Sequence, residues 1–177
     1  AGPAGLACAE ELRKLGYNII IYDRYDRPGG LLIYGIPNFK LEKFVVERRT
    51  KLLAKGGIKF IQNFEVGRDA SLDELRDKHD ALLVATGVYK PREIEISGND
   101  LGNIFPAMDF LMASNRKGLG DKVKNFDNGI LNTKGKDVTV IGGGDTAMDC
   151  VRTSIRQNAK SVKCLYRRDK ENMPGSA

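Results

Sequence analysis

The stretch that decides the fold is V138-T-V-I-G-G-G-D-T-A-M-D-C150, read together with its partner at the other end of the chain, A1-G-P-A-G-L-A-C-A-E-E-L12. In the first, a short β-branched run meets a glycine cluster, and an apolar pattern at helical spacing follows. Gly142, Gly144 and Ala147 fill the three places of G-x-G-x-x-G/A. In such a turn one glycine permits the tight bend and the next lets the backbone approach a pyrophosphate. The third small residue lets helix and strand pack closely. Anions then meet the helix N-terminus, where unsatisfied N–H groups and the helix dipole favour negative charge. In the second stretch, Gly2 and Gly5 match the back half of the same device. The spacing predicts a strand and a first glycine ahead of Ala1, which, with the absence of an initiating Met, fits a chain cut from something longer.

Working outward, both units repeat one order. After Gly5 comes a helical pattern (Leu6, Ala9, Leu12, Leu15) closed by Gly16, and then the strand YNIIIYD, expected to be buried by its isoleucines. After Gly144 comes a second helix and then SVKCLYRR. Tyr22-Asp23-Arg24 therefore faces Tyr166-Arg167-Arg168. A lone glycine motif is weak, but two in strand–helix–strand settings are strong. The expected class is α/β, with two Rossmann-like dinucleotide-binding domains, both incomplete in this chain. The expected boundaries are a first domain over 1–98, a connecting helix and loop over 99–135, and the start of a second domain over 136–177.

The residue closing the second strand of each unit selects the nucleotide. Asp23 lies about 20 residues past the glycines and can accept hydrogen bonds from a ribose 2′-hydroxyl. Arg167 and Arg168 instead suit a 2′-phosphate, through charge-assisted forks. The first site thus suits an adenosine ribose with free hydroxyls, such as that of FAD, and the second suits NADP(H). Between the units, RPGGLLIYGIPNFKL reads as a loop, 42–55 as a helix, and GIKFIQNFEVG as one or two strands. Ser71 with Glu74 forms a capping box. DALLVATG reads as a buried strand ending in a glycine turn, PREIEISGND as a connector, 106–115 as a helix and 116–135 as a long loop.

Composition narrows the function classes. The net charge of +6 is dispersed, which argues against nucleic-acid binding. No run of 18 apolar residues is present, so no membrane span is expected. Cys8, Cys150 and Cys164 stand far apart without a C-x-x-C, so neither a zinc site nor a dithiol pair is encoded. Sparse cysteines suit a reducing cytoplasm. Cys8 and Cys150 fall in apolar helical patterns and are expected as buried small hydrophobes. His79 reads as a solvated or capping residue. No Ser/His/Asp or Cys/His constellation is present, so no catalytic side chain is assigned and no metal ligand is expected.

The stretches AGPAGLA, YDRYDRPGGLLIYGIPNFKLEKFVVERR, LLVATGVYKPR and VIGGGDTAMDCVRTSIRQNAKSVKCLYRRDKENMPGS together resemble the small (beta) subunits of bacterial NADPH-dependent glutamate synthases, most closely the alphaproteobacterial type. The resemblance covers essentially the whole chain. It implies a glutathione-reductase-like pair of domains with the NADPH domain inserted into the FAD domain. It also implies hydride transfer from NADPH to FAD, and onward electron flow through [4Fe-4S] clusters to a large (alpha) subunit that forms glutamate from glutamine and 2-oxoglutarate. By motif match it places Gly2, Pro3, Ala4 and Gly5 at the FAD pyrophosphate and Asp23 at its ribose. Gly30, Leu31 and Leu32 line the flavin, with Lys40 near the phosphates, Val66 at the adenine end, and Ala85, Thr86 and Gly87 closing the site. In the second domain it places Gly142, Gly143, Gly144, Asp145 and Thr146 at the NADPH phosphates, and Arg167 and Arg168 at the 2′-phosphate. The cysteine-rich cluster region expected ahead of the first fingerprint, and the return to the FAD domain after the second, lie outside this sequence. Related reductase modules of dihydropyrimidine dehydrogenase or transhydrogenase type, and a non-catalytic nucleotide-binding module, are the alternatives.

Overall fold

A computed structural model describes residues 1–91 and 95–175. Residues 92–94 of the expected connector lie outside the described residues. The chain divides into two compact units, one formed by 1–33 with 41–89, the other by 34–40 with 90–177.

The first unit is built on the repeat motif at the N-terminus. Helix α1 (Pro3–Lys14) starts with proline at its first position, where a missing N–H costs nothing. It stops at Gly16, whose φ of +95° a side chain would resist. The Tyr17 N–H then reaches back to the Leu12 carbonyl at 3.2 Å and the Gly16 N–H to Arg13 at 3.0 Å, closing a Schellman turn. Strand β1 (Ile20–Tyr22) follows, then the short helix α2 (Leu31–Tyr34), α3 (Lys43–Lys55), β2 (Lys59–Ile61) and α4 (Leu72–Lys78). β1 and β2 pair in parallel, Ile20 opposite Lys59 and Tyr22 opposite Ile61. Their core gathers Leu6, Ala9, Ile21, Leu53 and Ile58. The capping box of α4 is formed: Ser71 Oγ accepts from the Glu74 N–H at 3.1 Å, and the Glu74 carboxylate accepts from the Ser71 N–H at 2.7 Å.

Two sequence expectations fail in this unit, for a common reason. DALLVATG is not a buried strand: 81–89 carries no ladder, and Leu83 and Val84 are 63% and 69% exposed. Of the three isoleucines before Tyr22, only Ile21 is buried. A parallel strand is held by a neighbour on each edge. Among the described residues β1 has β2 on one edge and no strand on the other, and 81–89 has none at all.

The second unit repeats the plan. Strand β3 (Asp137–Ile141), helix α7 (Asp145–Arg156) and strand β4 (Ser161–Leu165) form a parallel βαβ, with Asp137 opposite Ser161 and Ile141 opposite Leu165. α7 ends like α1, except that Asn158 (φ +61°) supplies the left-handed residue. The Ala159 N–H returns to the Ser154 carbonyl at 3.1 Å. Helix α5 (Ala107–Gly118) runs three residues beyond its expected end, and the expected long loop after it contains a one-turn helix, α6 (Lys124–Asp127). α5 packs on α7 through Phe110, Leu111 and Cys150. The segment 34–40 belongs to this unit. The buried Asn115 amide donates to the Tyr34 and Gly35 carbonyls at 2.8 and 3.2 Å, and Arg156 lies 3.8 Å over the Phe39 ring. No helix among the described residues is long and apolar enough to cross a membrane.

Candidate functional site

The two glycine turns present the same local geometry. Gly2 is the N-cap of α1 (φ −78°, ψ −179°) and Gly144 the N-cap of α7 (φ −90°, ψ 177°). Neither helix has a side-chain cap, and a Cβ built on either glycine meets no atom within 4 Å. Backbone shape does not require glycine at these positions, since any residue adopts extended angles. What glycine provides is the absence of a side chain beside the first-turn N–H groups. α4 behaves oppositely, satisfying its own first-turn donors with Ser71 and Glu74. A helix start without an internal cap leaves N–H groups that an anion can use; α3 and α5 also lack a side-chain cap, and glycine at the N-cap is what sets α1 and α7 apart.

The flanking glycines have steric duties. Gly142 turns the chain at φ +137°, and a Cβ there would stand 3.3 Å from Ala147 Cβ, so these two residues set the close strand–helix approach. Gly143 lies under Tyr166, where a Cβ would fall 2.6 Å from ring carbon Cδ2. The tail returns to this turn as well, the Gly175 N–H donating to the Gly143 carbonyl at 2.8 Å. In the first unit Gly30 (φ +53°) lies against Gly2, with a Cβ there only 2.8 Å from Gly2 Cα. The Gly29 N–H donates to the Ala1 carbonyl at 2.9 Å. Gly5 faces Ala85, their approach being 3.8 Å if Gly5 bore a Cβ. Thus Gly2, Pro3, Gly5, Gly30 and Ala85 are gathered around the start of α1.

Asp23 follows β1 immediately. Its Oδ2 lies 2.6 Å from the Ala1 nitrogen, and its Oδ1 accepts the Tyr25 N–H at 2.9 Å. The Tyr25 N–H holds the carboxylate just after β1. Arg167 and Arg168 follow β4 and are exposed. Asp145 and Thr146 are the first two residues of α7. Leu31 and Leu32 open α2 directly after Gly30, and Ala4 is the second residue of α1. Val66 is exposed in a turn closed by the Gly67 N–H and the Ala70 carbonyl, and Thr86 and Gly87 are exposed in the segment without a ladder. Lys40 lies in the second unit, its Nζ 2.6 Å from Oδ1 of Asp149 on α7.

Three groups here carry no motif signal. Lys43 opens α3, is 7% exposed, and donates from Nζ to the Leu32 carbonyl at 3.1 Å. Burial pushes its ammonium down to about 8. The buried Asp149 is visible only as a partner of Lys40. Tyr166 could have been suspected from its position after β4, but only the ring's place over Gly143 shows its role. His79 caps the C-terminus of α4, half-buried, its Nε2 3.1 Å from the Tyr22 hydroxyl. Cys150 is buried and its thiol is pushed up to about 12, first by burial and then by the neighbouring Asp149, so it is inert as a nucleophile. Cys8 is only half-buried and Cys164 is exposed.

Comparison with known proteins gives the family and the fold. The model of the pyridine nucleotide-disulphide oxidoreductase family matches residues 1–174. The glutamate synthase [NADPH] small chain of Azospirillum brasilense is 69% identical over 99% of this chain and 36% of its own length. The glutamate synthase [NADPH] small chain of Escherichia coli K12 is 48% identical over 99% of this chain and 37% of its own. The chain therefore spans little more than a third of these relatives. Among solved structures, Mycobacterium tuberculosis FprA in complex with NADPH superposes with a TM-score of 0.78 at 20% identity, over 99% of this chain and 44% of that one. That likeness concerns the fold. The chain belongs to the pyridine nucleotide-disulphide oxidoreductase family.

Proposed function

We propose that this chain is the cofactor-binding part of the NADPH-oxidising small subunit of a glutamate synthase, with FAD at the α1 turn and NADPH at the α7 turn. The observation that carries the reading is the pair of glycine N-caps without a side-chain cap, Gly2 and Gly144, each in a glycine turn. Both turns fit a pyrophosphate: the residue that would block it lacks a side chain, and its neighbours are fixed by contacts a Cβ would break. Asp23 beside the first turn suits a ribose with free hydroxyls. Arg167 and Arg168 after β4 suit a 2′-phosphate.

When bound, the two cofactors supply a hydride donor and a hydride acceptor. The chain's residues bind and orient. In the first unit Gly2, Pro3, Ala4 and Gly5 present the α1 N-terminus, and Asp23 accepts from the ribose. Gly30, Leu31 and Leu32 shape the wall beside the flavin, Val66 meets the adenine end, and Ala85, Thr86 and Gly87 close the far side. The resemblance, not a contact, assigns Lys40 to the flavin phosphates; Asp149 holds its ammonium within the second unit. In the second unit Gly142 to Thr146 seat the NADPH phosphates, and Arg167 with Arg168 hold the 2′-phosphate. No side chain donates or removes a proton in this scheme.

The [4Fe-4S] clusters and the large subunit that forms glutamate from glutamine and 2-oxoglutarate complete the reading, and the location it implies is the cytoplasm. The test is the absorbance spectrum and dye-reductase activity of the full-length protein. A flavin band bleached by NADPH, and faster than by NADH, is expected; purified protein without flavin would overturn the reading.

A further inference from the structure

Lys43 holds its ammonium in a place where charge is costly. It occupies the first position of the 13-residue α3, the positive end of the helix dipole, and beyond the N-cap Glu42 the first turn holds no acid. It is buried, and desolvation penalises its charged form. Its Nζ lies 3.1 Å from the Leu32 carbonyl, inside the short turn that begins at Gly29 and Gly30 and packs on Gly2. Places where local rules are broken are expected at functional sites, and this ammonium reaches the turn beside Gly2.

We infer that Lys43 is a positioning residue for the flavin site, its ammonium holding the Leu32 carbonyl so that the Gly30–Leu32 backbone keeps the orientation FAD requires. This rests on the assignment of FAD to the α1 turn. The anchor is a hydrogen bond of 3.1 Å from a charged donor, a kind that is stronger than a neutral one. It fixes a turn whose helix, α2, is a single turn of four residues. Without Nζ the Leu32 carbonyl loses that donor, and the Gly30–Leu32 peptide groups can rotate. Lys43 need not touch the cofactor to act in this way.

The experiment uses the full-length protein with Lys43→Met, matched in length and apolar, and Lys43→Arg, which keeps the charged donor. Two readouts are taken for each: the FAD dissociation constant of the deflavinated protein, and its melting temperature without FAD. The expected result is FAD binding at least tenfold weaker in Lys43→Met, at least threefold of it recovered in Lys43→Arg, and a flavin-free melting temperature in Lys43→Met no lower than in the wild type. FAD binding by Lys43→Met within twofold of wild type overturns the proposal. So does a flavin-free melting temperature that falls in step with the affinity, because Lys43 is then a structural pin. A wild-type protein that fails to bind FAD overturns the site assignment itself, an outcome separate from both.

Discussion

The glycine N-cap of α7 can be given a single methyl. Gly144→Ala adds a Cβ that meets no atom within 4 Å, on a backbone at φ −90° that any residue adopts. Stability should fall by no more than about 1 kcal/mol, the N-cap preference of glycine over alanine. On the proposed reading, the new methyl stands at the helix start where the phosphate binds. Displacing one charge-assisted hydrogen bond, worth about 1.5–3 kcal/mol, weakens NADPH by about tenfold or more. Gly143→Ala is the contrasting control. Its Cβ would lie 2.6 Å and 2.8 Å from Tyr166 Cδ2 and Cγ, atoms near the root of a stiff side chain. Overpacking of this kind costs about 1–3 kcal/mol, and adding Tyr166→Ala should remove that strain. Urea unfolding of the full-length protein without nucleotide, and NADPH titration followed by fluorescence, give both quantities. If Gly144→Ala binds NADPH within twofold of wild type, the phosphate does not sit at the α7 N-terminus. If the two variants lose equal stability, the packing difference between Gly143 and Gly144 is not as described.

Arg167→Ala with Arg168→Ala should weaken NADPH by at least about tenfold and leave NADH nearly unchanged, with a smaller difference at high salt because both side chains are exposed. Steady-state kinetics with both nucleotides checks this, and a parallel shift in KM would remove the 2′-phosphate assignment. Ser71→Ala breaks the capping box of α4 and should cost about 1 kcal/mol in urea unfolding without altering nucleotide binding. Lys43 gives a pH dependence with a definite sign. Its folded-state value of about 8 lies below the ordinary 10.5, so between these the unfolded chain holds the proton more tightly. Its contribution is therefore a cost of about 3 kcal/mol at neutral pH that is relieved as pH rises from about 8 toward 10.5. The stability advantage of Lys43→Met over wild type should shrink across that range in denaturant titrations of the flavin-free protein, and a constant difference would refute the buried charge.

What the sequence by itself determined is local. Gly142, Gly144 and Ala147 sit within six residues, and a turn, a helix start and a close strand contact are settled by backbone geometry at that range. The same holds for Gly16 ending α1, for the Ser71–Glu74 box, and for the repetition of helix and strand after each glycine cluster. What only the tertiary structure decided involves partners far apart in the chain. The apolar content of DALLVATG was plain, but a strand exists only through a neighbour's hydrogen bonds, and none among the described residues supplies them. The segment 34–40 follows the first motif closely in sequence, yet Asn115 and Asp149, 80 residues and more away, bind it into the second unit. Lys43 reads as a surface lysine on a helix face, and its burial depends on how α3 packs against the turn at Leu32. A carbonyl 11 residues away, an unpaired strand edge and a desolvated amine leave no periodic mark in the sequence, because each depends on which distant surfaces meet rather than on which residues follow one another.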